Sequence, residues 1–208
     1  HMKSVAEING IRRASRLASE TLRVVSTMIR PGVSTEDINR AVHDYTIERG
    51  AIPAPLHYGG DPDRDIPPFP KSVCTSVNEV ICHGVPSRKQ ILRDGDIVNV
   101  DVTPILDGFH GDTSWTFLVG DVSEAARQLV RVTRECLERA IATVRPDSRI
   151  REIGAAIQEH AESFGYGVVR EYVGHGIGRN FHEEPQIPHY RGKENRRLRP
   201  GMVFTIEP

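Results

Sequence analysis

Two aspartates stand where a strand would normally carry apolar side chains. Asp101 lies inside "IVNVDVT", and Asp112 closes "DGFHGD". Between them Asp107-Gly108 is the short signature of a two-residue hairpin with a type I′ turn. With that pair as the loop, Leu106 faces Phe109 and the pairing runs back until Thr103 faces Asp112. Asp101, two residues further along, shares the face, roughly 7–8 Å from Asp112 at the backbone. Two ionised carboxylates on one partly buried face repel each other and lose hydration. A divalent cation, or two, is the natural remedy.

Further candidate ligands follow. "VGHGIGRNFHEEP", Val173 to Pro185, brings His175 and His182 into a stretch whose glycines at 174, 176 and 178 permit close backbone approach. "VFTIEP" at residues 203–208 places Glu207 in a β-branched run read as a strand, and "CHGVP" supplies His83 in a turn. Asp101, Asp112, His175 and Glu207 form a mostly oxygen set that suits Mn, Fe, Co or Zn, without choosing among them. The cysteines lack the paired spacing of a structural zinc site.

The elements that must position these residues are legible around them. Ser4-Val5-Ala6-Glu7 is a capping box opening a helix with an apolar stripe from Ile8 to Ile29, which should end at Arg30-Pro31-Gly32. A second helix should start near Ser34-Thr35-Glu36-Asp37 and stop at Gly50. Ser123 to Val144 predicts a long helix, and "RPDSRIREIG" opens another that ends near Gly165. Arg30-Pro31, Ile38 and Gly50 recur at the same offset as Arg145-Pro146, Ile153 and Gly165. That repeat predicts a pseudo-symmetric fold with a site built where its halves meet.

Composition excludes several classes. The 208 residues are 38% apolar and 26% charged, with a formal net charge of −1, so a strongly basic nucleic-acid surface is not expected. Lys193 to Arg199, "KENRRLR", is expected as a solvated loop. No apolar run approaches the roughly 20 residues of a membrane span, and no signal-peptide pattern opens the chain. Three cysteines, an odd number, suggest reduced thiols and a cytoplasmic protein. His1-Met2 is read as a cloning remnant.

"FPKSVCTSVNEVICHGVP", "IVNVDVT", "GFHGDTSWTF", "GHGIGRNFHEEP" and "PGMVFTIEP" together resemble the type I methionine aminopeptidases. The resemblance runs from Ser4 onward. It implies the α/β pita-bread fold, a pseudo-two-fold antiparallel sheet covered by helices, as a single metallopeptidase domain over residues 3–208. Prolidases and aminopeptidases P share that fold and its carboxylates, but "CTSVNEVICHGVP" sets this chain apart from them. The short interval between "FHEEP" and the final "IEP" favours type I over type II.

By motif, the resemblance implies two divalent metal ions. Asp101 would chelate one and Asp112 would bridge both, with His175 and Glu207 on the other. It makes His83, His182 and Glu207 catalytic, and it lines the methionine pocket with Tyr58, Phe69, Cys74 and Phe181. The implied reaction is removal of an N-terminal methionine from nascent proteins and peptides, by hydroxide attack on the scissile carbonyl. Glu207 would take the water's proton, His182 would stabilise the oxyanion and His83 would contact the scissile amide. Proximity to the ribosome is implied in the same way. Two departures stand out. "GDPDRDIPP", Gly60 to Pro68, is an inserted, solvated excursion beside the pocket. The chain also stops at Pro208, whereas the family continues to a second bridging glutamate, so a partial chain is expected. The alternatives are a peptidase cutting before proline and a binding module on the same scaffold with impaired catalysis.

Overall fold

In the computed structural model, which describes residues 2–208, the capping box forms as read. The Ser4 amide donates to Glu7 Oε2 at 2.8 Å, and the Glu7 amide donates to Ser4 Oγ at 3.3 Å. The helix it opens, α1 (Val5–Ser26), stops short of Arg30-Pro31-Gly32. Ser26 Oγ donates to the Arg23 carbonyl at 2.6 Å and Thr27 Oγ1 to that of Val24 at 2.8 Å. These local bonds occupy terminal carbonyls and end the helix early.

The chain divides into two compact units, Gly10–Ala126 and a second made of the described residues up to Asn9 with Arg127–Pro208. The Gly10–Ala126 unit holds most of α1, then α2 (Thr35–Glu48), β1 (Ile52–Pro53), β2 (Cys74–Val77), β3 (Ile97–Val102), β4 (Pro104–Leu106), β5 (Phe109–His110) and β6 (Thr113–Leu118). Two antiparallel sheets result, in the orders β1-β4-β5 and β2-β3-β6. The Asp107-Gly108 turn has positive φ at both residues, 52° and 74°, as a type I′ turn requires. Leu106 faces Phe109, and the same register continues through β3–β6, where Val102 faces Thr113 and Asp101 faces Ser114. The hairpin is split, its tip pairing in one sheet and its base in the other.

Strand β3 explains how a sheet accepts Asp101. Val98, Val100 and Val102 alternate into the core at 0–1% exposure, joined there by Ile38, Val73, Leu92 and Val119. Burying each such side chain contributes about 1.5–3 kcal/mol. Asn99 and Asp101 take the opposite, half-buried face, where Asn99 Nδ2 bonds Thr116 Oγ1 at 3.1 Å. The run that looked apolar in sequence is one buried face and one polar face.

The other unit holds most of α3 (Glu124–Thr143), then α4 (Ile150–Ser163), β7 (Gly174–Gly176) and β8 (Glu183–Ile187), the last two paired antiparallel. Its core gathers Val132, Cys136, Ile150, Ile153, Ile157, Ile187 and Leu198. The expected strand at 203–208 is not a regular one. Phe204 makes an isolated bridge to Gly176, flanked by Ile177 N–H to the Val203 carbonyl (3.2 Å) and Thr205 N–H to that of His175 (2.8 Å).

The internal repeat recurs in both units, down to several individual backbone bonds. Helices α2 and α4 each span 14 residues at the repeat offset, with Asp37 and Glu152 at equivalent capping positions. Thr35 N–H reaches the Gln90 carbonyl as Ile150 N–H reaches that of Arg196; Leu92 pairs with Val33 as Leu198 pairs with Ser148. Ile38 and Ile153 are both fully buried, and Gly50 and Gly165 both take positive φ beyond their helices. Among the described residues no helix is long and apolar enough to cross a membrane, and all three cysteines are free thiols.

Candidate active site

In the Gly10–Ala126 unit, β3 and the start of β6 present the two aspartates. Asp101 pairs directly with Ser114, so Asp112, two residues before Ser114, is its diagonal neighbour on the polar face. Both are half-buried. Across β2 the partner of Asp101 is Cys74. The Cys74 thiol is pushed up to about 12, first by burial, then by the negative charge of Asp101, by Cys82 and by Asp112. Burial contributes most of that displacement, and the two carboxylates add a smaller share. His83, with φ of 56°, sits exposed in a turn pinned to β2 by Thr75 N–H to the Gly84 carbonyl (2.9 Å) and Gly84 N–H to Ser76 Oγ (3.1 Å).

The Gly60 to Pro68 excursion is closed at its neck. His57 N–H donates to the Phe69 carbonyl at 2.8 Å and Phe69 N–H to that of Tyr58 at 2.9 Å, while Asp61 and Ile66 bridge above them. A short 3₁₀ turn, Pro62–Arg64, forms its tip. Tyr58 and Phe69 therefore remain backbone neighbours, one exposed and the other half-buried.

In the other unit, His175 lies in β7 beside the Val203–Glu207 segment. Its amide donates to Thr205 Oγ1 at 2.9 Å, and its Nδ1 stands 2.9 Å from the Gly176 carbonyl. A carbonyl can only accept, so Nδ1 carries a proton and Nε2 is the nitrogen turned to other partners. Nε2 faces Glu207 Oε1 at 3.6 Å. The Glu207 carboxylate is met there by positive charge, whether on the imidazole itself or on a cation bound between the two. His182 completes the group, its ring 4.3 Å from that of His175 and stacked on Phe181 at 4.4 Å. Among the described residues no three or more His, Cys, Asp or Glu side chains gather as a group that could hold a metal ion; what the structure brings together is the Asp101–Asp112 pair in one unit and the His175–Glu207 pair in the other. Each pair fits a divalent cation by its chemistry: carboxylate with carboxylate, imidazole with carboxylate.

Three further residues support this site; Thr205 lies within the "VFTIEP" motif, while Lys3 and His189 belong to no motif. Thr205 Oγ1 donates to Glu207 Oε1 at 2.5 Å. Lys3 is ion-paired to Glu183. His189, 5% exposed, accepts the Glu207 amide at Nε2, 3.1 Å away. Burial pushes the His189 imidazole down to about 4, so it is neutral in the folded chain. The unfolded chain then binds the extra proton between about pH 6.5 and 4. Stability is full above that window and falls as pH drops through it, by up to about 3 kcal/mol. The melting temperature of the wild-type chain should fall across this range more steeply than that of His189→Gln. Parallel slopes would show that His189 does not carry the effect.

These units and their pairings define the pita-bread class of metallopeptidase folds. The chain belongs to metallopeptidase family M24, whose model matches residues 9–208. It is 54% identical to methionine aminopeptidase A of Synechocystis sp., covering 97% of this chain and 77% of that protein. It is 51% identical to the methionine aminopeptidase of Escherichia coli, covering 100% and 76%. The crystal structure of methionine aminopeptidase from Rickettsia prowazekii superposes with a TM-score of 0.92 at 43% identity, over 99% of this chain and 80% of that one. The prolidase of Pyrococcus furiosus shares the fold alone, with a TM-score of 0.83 at 24% identity, over 99% of this chain and 56% of that one.

Proposed function

We propose that this chain is a metal-dependent methionyl aminopeptidase acting as one catalytic domain over residues 3–208. Its likeness over nearly its whole length to proteins named methionine aminopeptidases carries the reading. Its substrates are the N-terminal methionines of peptides and nascent polypeptides, met in the cytoplasm; nearness to the ribosome follows from the family likeness alone.

Asp101, Asp112, His175 and Glu207 are the metal ligands, for two divalent ions drawn from Co, Mn, Fe or Zn. Bound divalent ions supply positive charge that brings the pKa of water towards neutrality. Glu207 accepts the water's proton and passes it on to the leaving amine, its Oε1 steadied by the Thr205 hydroxyl. His182, held by its stack on Phe181, donates to the oxyanion as the carbonyl becomes tetrahedral. His83 contacts the scissile amide from its exposed turn. Phe181, Tyr58, Phe69 and Cys74 receive the methionine side chain. A Cys74 thiol pushed up to about 12 stays neutral at cytoplasmic pH and offers a thioether a soft, uncharged wall.

The test is methionine release from Met-Ala-Ser against release of the first residue from an Ala-Pro peptide, with chelator-stripped protein and graded Mn or Co. Metal-dependent turnover of Met-Ala-Ser, at least about 100-fold above the proline peptide, is expected. Turnover indifferent to chelation, or a preference for the proline peptide, would reject the proposal.

A further inference from the structure

Lys3 is a charged residue with its side chain only 5% exposed, and its ammonium is paired to Glu183, itself 15% exposed at the side chain. Burying a lysine costs several kcal/mol unless its charge is met. Here the charge is met, and the partner is tied in turn. Glu183 Oε1 accepts the Asn180 amide at 3.2 Å, and the Gly178 amide donates to the Asn180 carbonyl at 3.2 Å. The loop from 178 to 183 is thus folded about the Glu183 carboxylate, with Phe181 and His182 on it. Burial works to raise the Glu183 carboxyl, but the bonds from Lys3 and from the Asn180 amide outweigh it and hold it below its usual range.

The same lysine reaches a second segment. Its backbone N–H donates to the Gly201 carbonyl at 2.7 Å, in the turn that leads into Val203 to Glu207. Gly201 has φ of +92°, and a side chain there would crowd the Lys3 carbonyl. On the other side of Lys3, the Ser4–Glu7 capping box fixes the start of α1. A side chain at Gly178 would collide with the Lys3 ammonium and press on Glu183. Gly178 and Glu183 thus accommodate the Lys3 ammonium, and Gly201 accommodates its backbone.

We infer that Lys3 is a positioning residue: its ion pair with Glu183 and its backbone bond to Gly201 jointly fix the segments that bear Phe181, His182 and Glu207. The inference rests on the peptidase reading for the roles of His182 and Glu207, but not for the geometry. The test uses Lys3→Met, Glu183→Gln and the charge-conserving Lys3→Arg, with Arg134→Ala, which removes an exposed pair to Glu138, as control. Hydrogen exchange of the metal-free protein should speed up about 10-fold at the Asn180 and Ile177 amides in Lys3→Met and Glu183→Gln. The Ile157 amide in the core should be unchanged. In the metal-loaded enzyme kcat should fall about 10-fold or more with KM within about two-fold, and Lys3→Arg should recover most of it. Exchange at Asn180 and Ile177 within two-fold of wild type would overturn the inference, as would equal acceleration at Ile157, which marks general destabilisation. A wild-type chain that releases no methionine would defeat the peptidase reading, while the exchange result would still decide the role of Lys3.

Discussion

Asp112→Asn should lower methionine release from Met-Ala-Ser by at least about 10³-fold while leaving the fold intact. The substitution keeps the size and shape of the side chain, so the β3–β6 register, made by backbone bonds, is undisturbed. What it removes is one of two negative charges on a single half-buried face. In metal-free protein that loss relieves repulsion against Asp101, so the melting temperature should hold or rise slightly. A cation site, by contrast, loses both a ligand and the charge that attracts its ion. A second readout follows from Cys74, whose thiol is raised mainly by burial but also by Asp101, Cys82 and Asp112. Its alkylation at alkaline pH should become faster in the variant. Retained turnover would remove Asp112 from the metal ligands.

Gly111→Ala carries the largest expected loss of stability. A methyl group at Gly111 would overlap the backbone of Ala14 and Ser15 in α1. Helix backbone cannot swing aside as a side-chain tip can, so either α1 or the β5–β6 connection must shift. A cost of about 3 kcal/mol, or roughly 6–12 °C in melting temperature, is expected. Because Asp112 is the next residue, activity should fall with it. Gly167→Ala is the matched control, since nothing lies within 4 Å of the added atom and its φ is ordinary. Melting of Gly111→Ala within 1 °C of wild type would contradict a close backbone contact between α1 and the β5–β6 connection.

What could be read in advance was what depends on local chemistry. Asp107-Gly108 specifies its turn because both residues tolerate positive φ, and the turn then fixes the register down to Asp101 and Ser114. The repeat was visible because each helix needs its own cap, buried isoleucine and terminal glycine. The partition of the hairpin between two sheets was not visible, because pairing partners such as Ile52 lie far away in sequence. The Val203 to Glu207 run resembled a strand by composition, yet its pairing with β7 reduces to one bridge and a few bonds. His189 and Lys3 carried no motif at all. Their roles come from what burial places beside them, a backbone amide in one case and Glu183 in the other.

Diffraction at the manganese or cobalt absorption edge, from crystals grown with that ion in excess, tests the proposed metal ligands directly. Anomalous density should appear against the carboxylates of Asp101, Asp112 and Glu207 and against Nε2 of His175, at about 2.0–2.3 Å from the ligating atoms. A map with well-ordered side chains and no anomalous density at these four residues would contradict the metal-dependent peptidase.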